Sequence, residues 1–254
     1  MQLFYRKIGE GDPIIILHGF LGLSDNWLPV ARELAKDYSV YIPDLRNHGQ
    51  SGHSNVFNYS ALVDDLFEFI VYHKIKEPVI IGHSMGGKIA MNFALRFPEK
   101  LKKIVVVDIA MRRYPVAKKQ IEMINTLAEL DFSGVNSYKE LSIFIARYVE
   151  GSSMQKLVIK NLRREKGKGF AWKIALESIR KNIDGIYEGV EKYSVVNKES
   201  LFIKGGDSDY ITDEDIDEIR QSFSKAVFKI IPDANHWVHV DAHDSLVKVI
   251  KDFL

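Results

Sequence analysis

Short apolar runs rich in β-branched residues recur along the chain at 14–17, 40–42, 79–81, 104–107, 201–203 and 227–231. Each is short and almost uninterrupted by polar residues, which predicts strands buried on both faces of a parallel sheet. Between them, apolar positions fall at helical spacing: Leu62, Leu66, Phe69 and Ile70 within 59–73, and Ile89, Phe93 and Leu95 within 88–97. Alternation of strand and helix predicts an α/β fold with a mostly parallel central sheet flanked by helices. After Val107 the alternation stops. From about Arg112 to Glu199 the spacing is helical with no convincing strand, and strands resume at Leu201. The expectation is a core of residues 1–111 and 200–254, with a helical cap of 112–199 inserted before the last two strands.

With 254 residues, 46% hydrophobic and 27% charged, the chain is long enough for one large core, and disordered or fibrous architectures are excluded. A net charge of +1 provides no global field toward nucleic acid or anionic membrane. That balance conceals an asymmetry: residues 112–199 carry 17 Lys and Arg against 11 Asp and Glu, and the remainder carries 18 against 23. The absence of Cys excludes disulfides, thiolate metal sites and thiol catalysis, so a nucleophile must be an oxygen or an amine. Arg6 and Lys7 interrupt any signal-peptide apolar stretch, and no run approaches the roughly 20 apolar residues of a membrane span. A cytoplasmic protein with no membrane span is expected.

Residues 82–88 read Gly-His-Ser-Met-Gly-Gly-Lys, between the run at 79–81 and a helical pattern. Gly-x-Ser-x-Gly on a strand-to-helix turn holds its Ser in a strained conformation, with the hydroxyl exposed at the C-terminal edge of the sheet. The unpaired N–H groups of the following helix favour negative charge developing there. The segment nearly matches a phosphate-binding loop, but Ile89 stands where a magnesium-binding Ser or Thr is needed, which disfavours nucleotide hydrolysis.

Two further segments converge on that edge. The loop His18-Gly19-Phe20-Leu21-Gly22 can offer the Phe20 N–H, beside that of Met85, as oxyanion donors, with His18 holding the loop. His236 follows the last strand, where a general base must sit. The chain order Ser, acid, His is met by Ser84, either Asp108 or Asp209, and His236. His83 is expected to diverge from Ser84, while His48 and His53 fall in a polar loop and His73 at a helix end. His239 and His243 lack a carboxylate at metal-ligand spacing, so no metal or cofactor is assigned.

Residues 14–20, 44–51 (Asp-Leu-Arg-Asn-His-Gly-Gln-Ser), 82–88, 107–110 (Val-Asp-Ile-Ala) and 236–239 (His-Trp-Val-His) together resemble the α/β-hydrolase superfamily. More narrowly, they resemble the YbfF-type branch of small bacterial esterases and thioesterases. The resemblance implies an α/β-hydrolase fold and cleavage of small-molecule carboxylic esters or acyl thioesters through an acyl-enzyme on Ser84. No nucleic-acid partner is expected, and the chain would be a monomer or small homo-oligomer. Relatives with an Asp nucleophile are excluded by Ser84. Most of the superfamily keeps its acid at the position of Asp209, whereas the branch points to Asp108, narrowly favoured here. Met111, where the branch commonly has Pro, and the presence of Asp209 keep both open. A lyase or carbon–carbon bond hydrolase using the same residues, and a non-catalytic receptor on the same fold, are the rival readings. In the insertion, Ile121, Ile124, Leu127, Leu141, Phe144 and Tyr148 either line an acyl pocket or form the insertion's own core. Arg163, Arg164, Lys166 and Lys168 either grip the phosphates of a CoA ester or are solvated surface.

Overall fold

The computed structural model describes residues 1–165, 169–191 and 194–254. Its first half alternates β1 (Tyr5–Ile8), β2 (Pro13–Leu17), α1 (Ser24–Leu34), β3 (Ser39–Pro43), α2 (Tyr59–Tyr72), β4 (Val79–His83), α3 (Met85–Arg96) and β5 (Lys103–Val107). The insertion follows with α4 (Lys118–Glu129), α5 (Tyr138–Ile145), α6 (Ser152–Lys160), β6 (Leu162–Glu165), β7 (Gly169–Trp172), α7 (Leu176–Lys181) and α8 (Ile183–Tyr187). The chain closes with β8 (Val196–Gly205), α9 (Asp213–Ser222), β9 (Phe223–Ile231), α10 (Val238–Asp241) and α11 (His243–Phe253). Among the described residues no helix is long and apolar enough to cross a membrane.

The main sheet has the order β1-β3-β2-β4-β5-β8-β9, with β1 antiparallel to β3 and every other pair parallel. β4 is therefore the central strand. The apolar runs divide by residue parity, as a strand buried on both faces requires. Ile15, Leu17, Ile80, Ile104 and Val106 face a core shared with α2 and α3, and Ile14, Ile16, Val79, Ile81, Val105 and Val107 face α1 and α11. Truncating one such Ile to Ala costs about 2–5 kcal/mol, because close-packed neighbours collapse only partly into the cavity. β1 is absent from the sequence expectation because Tyr5-Arg6-Lys7-Ile8 carries two cations in four residues, a pattern an edge strand tolerates.

The insertion departs from the all-helical expectation. β6 and β7 form an antiparallel hairpin, with Leu162 opposite Trp172 and Glu165 opposite Gly169. Each strand buries one residue, Leu162 and Phe170, while Arg163 and Arg164 face solvent. Four residues with a single buried position carry too weak a period-two signal to be read. The insertion also shares its core with the sheet, since Leu141, Ile145, Leu162, Phe170 and Ile179 belong to the same apolar cluster as Ile80 and Val106.

Candidate active site

Ser84 caps α3 at the end of the central strand with φ 52° and ψ −119°, a left-handed φ that costs a non-glycine residue about 1–3 kcal/mol. Its N–H donates to the Val107 carbonyl at 3.1 Å. A Cβ on Gly82 would lie 2.2 Å from the Gly86 carbonyl oxygen, and one on Gly86 would lie 2.3 Å from that of Leu17. The turn therefore tolerates no side chain at either position.

His236 lies between β9 and α10, and its ring edges are both engaged. The Ser84 hydroxyl lies 3.0 Å from Nε2, and Nδ1 lies 2.8 Å from Oδ2 of Asp108. Asp108 is fully buried at the end of β5, also at positive φ. Its Oδ1 accepts the Gly205 N–H at 2.9 Å and its Oδ2 accepts the Ser208 hydroxyl at 2.5 Å. Asp209 is exposed, and its backbone carbonyl accepts from Arg112 Nη2 at 3.5 Å. The structure thus joins Ser84, His236 and Asp108 and leaves Asp209 outside. Ser208 and Tyr210, whose ring lies 3.7 Å from that of His236 at an interplanar angle of 16°, escaped the sequence reading. The signal for Ser208 is a hydroxyl two residues after Gly206, in a loop whose aspartates carry the more obvious chemistry.

His83 turns away from the Ser84 hydroxyl and donates from Nε2 to the His236 carbonyl at 2.8 Å. Burial first, then the neighbouring His236 and His239, push it well below its ordinary value, so it is neutral at physiological pH. The loop expected to offer oxyanion donors passes against Ser84. A Cβ on Gly19 would stand 3.3 Å from Ser84 Cβ. His18 holds that loop, donating from Nδ1 to the Gly19 carbonyl at 2.8 Å and accepting the Leu45 N–H at Nε2, 3.0 Å away. Met85 is the first residue of α3, so its N–H has no partner within the helix.

The 44–51 segment serves this scaffold. Asp44 accepts the N–H groups of Ser24 and Gln50, and Arg46 forks onto Asp65 of α2 at 2.5 and 2.8 Å. The Asn47 carbonyl accepts the Ala175 N–H and its side-chain amide donates to Ser178, which ties the insertion to the core. Lys88 makes a second tie. Its ammonium is buried over the rings of Tyr59 and Tyr114 and donates to the carbonyls of Arg112 and Glu188, at the two ends of the insertion. Burial pushes it down to about 8; the charge of Arg112 adds to this and that of Glu188 opposes it.

Residues 12–134 match the family described as the alpha/beta hydrolase fold. An sn-1-specific diacylglycerol lipase ABHD11 of Danio rerio is 32% identical over 97% of this chain and 79% of its own length. The chain belongs to the α/β-hydrolase superfamily. The esterase YbfF of Escherichia coli strain K12 is 28% identical, over 96% of this chain and 94% of that one. The solved structure of a marine microorganism esterase matches with a TM-score of 0.95 at 39% identity, covering 100% of this chain and 99% of that chain.

In this α/β hydrolase the insertion residues considered for an acyl pocket divide by burial. Ile124, Leu127 and Leu141 are core, Phe144 packs against that core, and Ile121 and Tyr148 are 37% and 46% exposed. Of the basic cluster, Arg163 pairs with Glu165 at 3.0 Å along β6, Arg164 is exposed, and Lys166 and Lys168 lie outside the described residues.

Proposed function

We propose that this chain is a serine hydrolase of carboxylic esters and acyl thioesters. The observation that carries the reading is the unbroken path from Ser84 Oγ through His236 to Asp108, with contacts of 3.0 and 2.8 Å. His236 Nε2 takes the Ser84 proton as Oγ attacks the acyl carbon, and Asp108 holds the Nδ1–H tautomer and stabilises the imidazolium. The N–H groups of Phe20 and Met85 receive the oxyanion. Collapse of the tetrahedral intermediate returns the proton to the departing alcohol or thiol. Water, deprotonated by the same His, then releases the acid and restores Ser84. The names of the relatives, diacylglycerol lipase and esterase, support an ester substrate.

A fluorophosphonate probe tests the nucleophile directly. Stoichiometric labelling that disappears in Ser84→Ala, together with turnover of short p-nitrophenyl esters, is the expected result. Labelling that persists in a folded Ser84→Ala protein moves the nucleophile elsewhere. Labelling without turnover of any ester or acyl-CoA favours a receptor that retains the pocket.

A further inference from the structure

An imidazole has two polar edges and two faces, and hydrogen bonds can fix only the edges. In His236 both edges are taken, by Ser84 and Asp108, while one face is covered by the ring of Tyr210 at 3.7 Å and 16°. Tyr210 is itself held, because its carbonyl accepts the Tyr114 hydroxyl at 2.5 Å and that hydroxyl accepts the Ala110 N–H at 2.9 Å. Ala110 lies two residues beyond Asp108. A short path of hydrogen bonds therefore runs from the strand end that presents the carboxylate to the ring that covers the base.

We propose that Tyr210 is a positioning residue for His236, whose ring face orients the imidazole and stabilises the imidazolium formed during acyl transfer. The proposal rests on the reading of His236 as the general base. The face of an aromatic ring carries negative electrostatic potential, so a cation lying against it is favoured over the neutral form, and more so away from water. The side chain of His236 is 20% exposed, which places the contact in the partly desolvated range. Among the described residues, the ionisable groups facing the imidazole include Asp108 just beyond β5, His83 from β4 and His239 from α10, while Asp209 flanks Tyr210 and Arg112 lies against the Tyr114 ring at 4.0 Å. His83 and His239 are held neutral at physiological pH by burial, the latter at about 4. The carboxylate of Asp108 and the face of Tyr210 both lie in contact with the ring.

The test compares Tyr210→Leu and Tyr210→Met, which keep water from that face without an aromatic ring, with Tyr210→Phe and Tyr210→Trp, which keep a ring without the phenol hydroxyl. The ringless variants are expected to lose about ten-fold in kcat with little change in KM, and to shift the acid limb of the kcat/KM profile to lower pH by about half a unit or more. The aromatic variants recover most of kcat and the limb. NMR titration of the His236 ring in the same proteins reads the shift without requiring turnover, so an absence of ester hydrolysis would overturn the general-base reading while leaving the contact testable. A His236 titration unchanged in Tyr210→Leu and Tyr210→Met overturns the proposal, as does a Tyr210→Phe protein as impaired as Tyr210→Leu, which would assign the effect to the hydroxyl.

Discussion

The Ser208 hydroxyl and His236 Nδ1 meet at one oxygen, Asp108 Oδ2, at 2.5 and 2.8 Å. The loop after β8, where the sequence offered a second candidate acid, contributes a hydroxyl that fixes the orientation of the buried carboxylate at the end of β5. Hydrogen bonds to a charged group contribute about 1.5–3 kcal/mol, and part of that sets the plane in which Oδ2 faces the imidazole.

Ser208→Ala leaves the Gly205 N–H on Oδ1 but frees Oδ2 to swing. A fall of about ten-fold in kcat with KM nearly unchanged is expected, given that one charged hydrogen bond is lost. Steady-state kinetics on a p-nitrophenyl ester measure it, and a wild-type kcat would show that the carboxylate is adequately held by Gly205 and His236.

The two aspartates are separated by Asn substitution, which preserves shape and removes charge. Asp108→Asn presents an amide to Nδ1, mis-sets the tautomer and is expected to lower kcat by about four orders of magnitude, the scale known for triad acids. Asp209→Asn alters an exposed side chain and is expected to stay within two-fold of wild type. A reversed ranking would assign the acid to Asp209 in the working enzyme.

What could be read in the sequence follows from which signals are local. Gly82-x-Ser84-x-Gly86 announces itself because strand, turn and helix are contiguous, and the central apolar runs announce the sheet because burial on both faces leaves them nearly free of polar residues. The meeting of Ser84 with His236, 152 residues away, was readable only because parallel strands all end on one edge. The choice between Asp108 and Asp209 turns on which side chain is buried and aimed at Nδ1, and no local pattern encodes that. The β6–β7 hairpin was hidden by its exposed arginines. The segment at 44–51 serves as one of the family markers, while its physical work, tying the insertion to the core through Asn47, depends on contacts with Ala175 and Ser178 that no spacing reveals.

Lys88 fastens both ends of the insertion to α3, so its loss is expected to loosen that segment more than the sheet. Lys88→Met keeps the stem and removes the ammonium, leaving the carbonyls of Arg112 and Glu188 without their donor. Each buried acceptor left unsatisfied costs about 1–3 kcal/mol. Hydrogen exchange is expected to speed up in the insertion while β2, β4 and β5 stay protected at wild-type levels. Uniform acceleration across sheet and insertion would mean that Lys88 supports global stability instead of this local attachment.

Acid sensitivity follows from the buried histidines, and His48 provides the sharpest case. It is fully buried, its Nδ1 donates to the Arg46 carbonyl at 2.9 Å, and Nε2 has no hydrogen-bond partner among the described residues. Burial, and to a lesser degree His18 at a ring separation of 5.1 Å, push it from 6.5 down to about 3. In the unfolded chain His48 takes up a proton as pH falls through 6.5, whereas in the folded chain it stays neutral until about 3. Between those values the unfolded state binds more protons, so stability is full above 6.5 and declines as the solution is acidified, by up to about 1.4 kcal/mol per pH unit for one such group. The urea midpoint is therefore expected to drop between pH 7 and pH 4.5. In His48→Gln, whose amide can still donate to the Arg46 carbonyl, the drop is expected to be shallower by about 1 kcal/mol per pH unit, whatever the offset at neutral pH. Parallel pH dependences for the two proteins would shift the burden to His83 and His239, which are lowered by the same physical cause.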